Sequence, residues 1–143
     1  MPESSVMQAI ADPQYLFTAV NNFLLVAGKQ PLFDVELVGS KKEVKLNNGM
    51  YVVSTNRQLK DIKKTDLVII PALFGDMTTA IEINKALLPW IEEQYDNGAE
   101  VASLCVGAFL LAATGLLNGK KCSTHWGFIN KFREMYPEVE VVD

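Results

Sequence analysis

One stretch constrains this chain more than any other. Val101-Ala102-Ser103-Leu104 is a short apolar run that leads into Cys105, and an Ala/Leu-rich helix follows at once from Val106 to Thr114. Strand, turn and helix in immediate succession place Cys105 on a sharp bend at the carboxyl end of a strand. Ser103-Leu104-Cys105-Val106-Gly107 has the spacing of a nucleophile elbow, with serine in place of the first glycine and cysteine as the nucleophile. The bend is strained and its helix must lie close against its strand, so the flanking residues must be small. Ser103, Gly107 and Ala108 meet that need. The first amides of the helix carry partial positive charge toward the sulfur and favour thiolate over thiol. The competing reading is a buried cysteine acting as a small hydrophobe at the end of a core strand. The flanking pattern favours the elbow.

The rest of the chain alternates strand and helix patterns. Asp12-Pro13 reads as a helix start, and Leu16, Ala19, Val20, Phe23, Leu24 and Ala27 recur at helical spacing up to a stop at Gly28. That apolar stripe suits an interface as well as a core. Phe33 to Val38 alternates as a strand. Val44–Leu46 and Met50–Val53 flank Asn47-Asn48-Gly49, a hairpin signal in which Asn-Gly takes the positive-φ turn positions. Leu67 to Ile70 is a continuous β-branched run typical of a central parallel strand, closed by Pro71. A helix from Thr78 to Asn97 is interrupted at Pro89, with Asp76 or Thr78 as its N-cap. Glu100 to Leu104 is the strand before the elbow. Cys122 to Thr124 is a short strand, His125 opens a helix to Tyr136, and Val139 to Val142 alternates as a last strand.

This order implies an α/β fold: an open, mostly parallel sheet with helices on both faces, plus a small β-hairpin. Ligands on such sheets bind at the carboxyl ends of the strands, the edge that holds Phe74-Gly75, Cys105 and Thr124-His125. A fold of this kind opens with a strand, whereas here a loop leads into a helix, and the chain stops just after a strand. We therefore expect residues 1–143 to be part of a domain, with a strand ahead of Met1 and further chain after Asp143.

Composition removes several classes of function. A net charge of −4 over 143 residues argues against this stretch itself gripping DNA or an anionic membrane. No apolar run reaches the roughly 18 residues of a spanning helix, and the N-terminus lacks the basic start of a signal peptide. Two cysteines form no disulfide framework, which points to a reducing cytoplasm, and one histidine with two cysteines is a poor zinc set. No glycine-rich phosphate loop follows a strand, so neither metal nor cofactor is expected.

His125 is the only histidine. Its place at a strand end lets it take the proton of Cys105 in a Cys-His pair, or cap its own helix through backbone contacts. Glu3 is a weak third member, since it would follow the missing first strand. Val106 N–H and an amide of the loop ending at Gly75 are the candidate oxyanion donors. Trp126 flanks the same edge, and Cys122 reads as buried and inert.

Cys105-Val106-Gly107-Ala108-Phe109-Leu110-Leu111-Ala112, then Gly115-Leu116-Leu117-Asn118-Gly119-Lys120 and Thr124-His125-Trp126, resemble the class I glutamine amidotransferase-like superfamily in its ThiJ/PfpI branch. Within it the pattern is most similar to the N-terminal domain of AraC-family transcriptional regulators. The match is specific from Cys105 to Trp126, looser from Leu67 onward and weak before residue 60. The resemblance implies a flavodoxin-like domain that senses a small molecule or forms a homodimer, while a C-terminal helix-turn-helix part outside this chain binds DNA. A ligand would contact Phe74, Gly75, Cys105, Val106, His125 and Trp126. Enzymes of the branch, such as isonitrile hydratases and amidase-like proteins, carry a similar elbow, so a cysteine-dependent hydrolase or hydratase using Cys105 and His125 is the alternative. Those enzymes commonly place two glycines after the strand that corresponds to Leu67–Ile70. Here the loop reads Pro71-Ala72-Leu73-Phe74-Gly75, and the bulk at that corner points to a non-catalytic or degenerate site.

Overall fold

The computed structural model describes residues 1–142, leaving aside the side chain of Asn48, so Asp143 lies outside the described residues. The strands are β1 (Val38–Gly39), β2 (Glu43–Leu46), β3 (Tyr51–Ser54), β4 (Arg57–Gln58), β5 (Leu67–Ile70), β6 (Glu100–Ser103), β7 (Lys121–Cys122) and β8 (Glu140–Val141). The α-helices are α1 (Met7–Val26), α2 (Met77–Asn84), α3 (Leu88–Asp96), α4 (Ala108–Ala113) and α5 (Ile129–Met135). β1 with β4, β5 with β6 and β7 with β8 pair in parallel, and β2 with β3 antiparallel. The class is the expected α/β. Among the described residues the strands form four two-stranded ladders rather than one continuous sheet.

The centre is the β5–β6 pair, in register from Leu67 against Glu100 to Ile70 against Ser103. Val68 and Ile70 enter a core with Met77, Ala80, Leu87, Ile91 and the helix α4. Ala108, Phe109 and Leu110 of α4 have no exposed surface, so the segment after the elbow is the most buried part of the chain. Phe109 stacks edge-on against Phe132 of α5 at 4.9 Å. The apolar stripe Met77, Ala80, Leu87, Ile91 runs at helical spacing through α2 and α3, although the helix breaks between them. Pro89 stands in the first turn of α3, where its missing N–H costs nothing. Asp76 caps α2, accepting from Thr79 N–H at 2.9 Å.

Three expectations need correction. The first helix starts at Met7, not at Asp12-Pro13, and Pro13 lies inside it. Val6 N–H donates to Ala72 O at 2.8 Å, which anchors the chain just before Met7. The early turn buries Ile10 against Val44 and Leu46 in a second apolar cluster. That burial offsets the interior proline, which removes a helical hydrogen bond at a cost of about 3 kcal/mol.

Phe33 to Val38 is not a strand; pairing begins only at Val38. Asn21 of α1 takes up the backbone instead. Its Oδ1 accepts from Leu32 N–H and Phe33 N–H, each at 2.9 Å, and its Nδ2 donates to Phe33 O at 2.6 Å. Phe33 also packs edge-on against Phe17 at 4.9 Å. With its N–H and C=O both spent on Asn21, Phe33 has nothing left for a ladder.

The hairpin forms as read, but with Leu46 opposite Tyr51, so its loop is residues 47–50 rather than a two-residue Asn-Gly turn. Positive φ falls on Asn47 (48°) and Gly49 (87°).

Candidate functional site

Cys105 follows β6 with φ of 54°, in the left-handed region that a non-glycine residue enters at a cost. The bend is held on both sides. Leu104 N–H donates to Ile70 O at 2.9 Å, and Gly107 N–H donates back to Leu104 O at 2.8 Å. A Cβ at Gly107 would lie 2.6 Å from Pro71 O and 2.8 Å from Ile70 O. Only glycine lets the helix start sit this close to β5, as the motif requires. The Cys105 thiol is free and exposed. Val106 is buried behind it, its N–H among the first-turn amides that a helix leaves without an internal acceptor.

The strand end that carries His125 reaches the same edge, since Thr124 Oγ1 donates to Cys105 O at 3.2 Å. The imidazole itself is engaged elsewhere. His125 is the N-cap of the turn Trp126–Phe128, and its Nδ1 accepts from Gly127 N–H at 3.1 Å. The ring stacks on Trp126 at 5.3 Å and meets Phe128 edge-on at 5.8 Å. A neutral imidazole that accepts at Nδ1 carries its proton on Nε2 and has no free lone pair for a thiol proton. Among the described residues no hydrogen bond joins His125 to Cys105. Of the two roles open to His125, the capping role is the one occupied.

The N-terminal segment covers the neighbouring corner. Ser5 bridges Leu73 in antiparallel fashion, and Phe74 N–H donates to Ser4 O at 2.7 Å. That amide is therefore not free to face an oxyanion. Glu3 is half-buried and its carboxylate pairs with Lys41 at 2.6 Å. Gly75 has φ of 91°, as the turn demands. Leu73 is buried in the core, whereas Phe74 is 67% and Trp126 82% exposed, so two large apolar surfaces stand at the strand-end edge.

Sequence reasoning passed over Asn84. It is buried, accepts from Glu3 N–H at 2.7 Å and donates to Glu3 O and to Ala80 O, each at 2.8 Å. It thereby holds the Glu3–Ser4 turn, where Ser4 has φ of 65°. The signal was present: an asparagine standing at helical spacing within the stripe Met77, Ala80, Leu87, Ile91.

Cys122 is half-buried, and burial pushes its thiol above the ordinary range.

Two cavities stand out. One, of about 520 Å³, is polar and bordered by Lys42, Glu43, Arg57, Lys60 and Asp61. The other, of about 1050 Å³, lies between β1 and β5. Neither is lined by Phe74, Gly75, Cys105, Val106, His125 or Trp126. Among the described residues, no group of three or more His, Cys, Asp or Glu side chains could hold a metal ion, and no helix is long and apolar enough to cross a membrane.

Comparison with known proteins agrees with this architecture. The family model described as the DJ-1/PfpI family matches residues 22–143. The HTH-type transcriptional regulator CdhR of Pseudomonas aeruginosa is 33% identical over 95 residues, which are 66% of this chain and 27% of that regulator. The chain thus spans about a quarter of the length of that curated relative. Among solved structures, a putative transcriptional regulator from Vibrio parahaemolyticus superposes with a TM-score of 0.80 at 22% identity, over 99% of this chain and 72% of that one. An AraC family transcriptional regulator from Pseudomonas putida superposes with a TM-score of 0.73 at 17% identity, again over 99% and 72%. At these identities the structures speak for the fold alone, the flavodoxin-like α/β fold. With the family model covering residues 22–143, the chain belongs to the DJ-1/PfpI family.

Proposed function

We propose that this chain is the N-terminal ligand-sensing and dimerising domain of an AraC-type transcriptional regulator. DNA would be bound by a helix-turn-helix part outside these residues. The observation that carries this reading is the 33% identity to a helix-turn-helix regulator over 95 residues. The site chemistry supports it. Cys105 has the elbow, but the one histidine caps its own turn and Phe74 N–H is tied to Ser4 O. An acyl-transfer site needs a free base and free oxyanion donors. A binding site needs neither, and exposed Phe74 and Trp126 offer apolar contacts to a small effector.

Dimerisation is assigned to the outer face of α1, with a second copy of the chain as the occupant. Leu16, Phe23 and Val26 are 62%, 72% and 90% exposed, and Asp12 is the only charged residue among the helix's twenty. Such a face is apolar enough to be self-complementary across a two-fold axis. A cytoplasmic location follows from the regulator reading.

The test is a thermal-shift screen of small polar metabolites against the wild type and Cys105→Ser. The sensor reading expects a compound that raises Tm by several degrees in both proteins. Turnover of a small amide or nitrile-like compound that disappears in Cys105→Ser would overturn it in favour of the hydrolase or hydratase.

A further inference from the structure

The polar cavity of about 520 Å³ shares no residue with the strand-end edge. Its walls come from the start of β2, from the link between β3 and β4, and from the single helical turn Leu59–Asp61.

The hydrogen bonds that fix these walls consume acceptors. Thr55 N–H donates to Lys42 O at 2.9 Å, and Thr55 Oγ1 donates to Lys41 O at 2.8 Å. Asn56 Oδ1 accepts from Leu37 N–H at 2.9 Å, while Asn56 N–H donates to Leu37 O at 2.8 Å. The Asp61 carboxylate accepts from Gln58 N–H at 3.1 Å, and the Gln58 side chain accepts from Asp61 N–H. A Cβ at Gly39 would lie 2.7 Å from the Thr55 methyl, so β1 packs directly on the link.

The donors are left over. Lys42 and Lys60 pair with no carboxylate among the described residues. Arg57 meets Glu36 through Nε at 3.3 Å, and its two terminal nitrogens have no hydrogen-bond partner among the described residues. The same holds for the Ser54 hydroxyl and for Asn56 Nδ2. A cavity whose acceptors are spent and whose donors are free fits a ligand rich in acceptors.

The surrounding charge has the matching sign. Residues 41–64 hold seven of the 13 Lys and Arg but two of the 17 Asp and Glu. A chain of net charge −4 thus carries a cationic face, and a concave site on such a face concentrates anions. Glu43 is the exception. It is exposed, stands opposite Ser54 in the ladder and pairs with no cation among the described residues. It repels a bare anion, whereas a ligand hydroxyl can donate to it.

We propose that this cavity binds a small phosphate monoester that also carries hydroxyl groups, a sugar phosphate by chemical class. The free edge of the Arg57 guanidinium forks onto two phosphate oxygens, and Lys42 and Lys60 supply point charges. Ser54 and Asn56 donate to the remaining oxygens, and Glu43 accepts from the sugar hydroxyls. The volume falls within the roughly 300–1,000 Å³ of small-molecule sites, with room for a sugar beside the phosphate. This site is separate from the strand-end edge and stands whether or not the chain serves a regulator.

The experiment is calorimetric titration at low salt with ribose 5-phosphate, inorganic phosphate and ribose, with amide shifts in NMR to locate the binding. Ribose 5-phosphate is expected to bind once per chain, at least about tenfold tighter than inorganic phosphate, and ribose not measurably. The shifts should cluster at residues 42–43 and 54–61. Arg57→Gln and Lys60→Gln should each weaken ribose 5-phosphate at least about fivefold. Glu43→Ala should narrow its advantage over inorganic phosphate, since both the hydroxyl acceptor and the repulsion are gone. All three side chains are exposed, so their replacement leaves the core intact. Lys63→Gln changes the charge of the same face outside this cavity and should alter affinity less than twofold, a ratio of about 0.4 kcal/mol. Absence of saturable binding would overturn the proposal. So would equal affinity for ribose 5-phosphate and inorganic phosphate, or equal losses from Lys60→Gln and Lys63→Gln, which mean diffuse attraction by surface charge only.

Discussion

Gly107 and Pro71 touch through their backbones: a Cβ on Gly107 would lie 2.6 Å from the Pro71 carbonyl oxygen. This approach seats the elbow helix against β5 and holds Cys105 in its bend. Gly107→Ala should therefore cost about 1–3 kcal/mol, the usual range for forcing one methyl group into a packed site. In urea the midpoint should fall at unchanged slope. A midpoint equal to the wild type would mean that the helix start can shift away from the strand freely.

Asn84 satisfies both backbone groups of Glu3 from a buried position. Asn84→Ala leaves those groups and Ala80 O to find other partners. The expected loss is about 2–3 kcal/mol, given about 1–3 kcal/mol for stranding a buried polar group. Chemical denaturation measures it, and a loss under about 0.5 kcal/mol would show that the Glu3 turn stands without the clamp.

The two thiols should separate under alkylation. Cys105 is exposed, whereas Cys122 is half-buried with its thiol held above the ordinary range. Iodoacetamide at neutral pH should label Cys105 at least about tenfold faster, read by peptide mapping. Equal rates would contradict this placement of Cys122.

Asp76 gives a pH signature. The backbone N–H and then the hydroxyl of Thr79 hold its carboxyl below the ordinary value. A depressed folded-state value stabilises the fold above the unfolded-state value, and that gain is lost as pH falls through the folded one. Asp76→Ala should thus lower Tm at neutral pH, and the gap to wild type should narrow as pH drops below the usual carboxylate range. A gap that stays constant with pH would assign the effect to helix propensity instead.

The outer face of α1 gives a test of assembly. Phe23 is 72% exposed, so replacing it leaves the core intact. Phe23→Glu should weaken self-association at least about tenfold in sedimentation while Tm at low concentration stays near wild type. An unchanged mass distribution would remove α1 from the interface.

Where a signal is local, sequence and structure agree. Leu67–Ile70 forms the strand its β-branched run predicts, Asp76 caps its helix, and Cys105 stands in the left-handed bend implied by its small neighbours. Where a competing partner sits far away along the chain, they part. Phe33 alternates with its neighbours like a strand residue, but Asn21, twelve residues earlier, takes its N–H and C=O. Pro13 looks like a helix start, but the tie from Val6 to Ala72 and the burial of Ile10 start the helix six residues sooner.

The sequence by itself determined the α/β class, the order of most elements and the sharp bend at Cys105, because these depend on side-chain period and on the space each residue leaves its neighbours. The tertiary structure alone decided which partner the His125 ring meets. From the sequence the ring was equally able to reach Cys105 or to cap its own turn. In the fold a backbone N–H two residues away meets Nδ1 at 3.1 Å, so the cap is the contact that the ring makes.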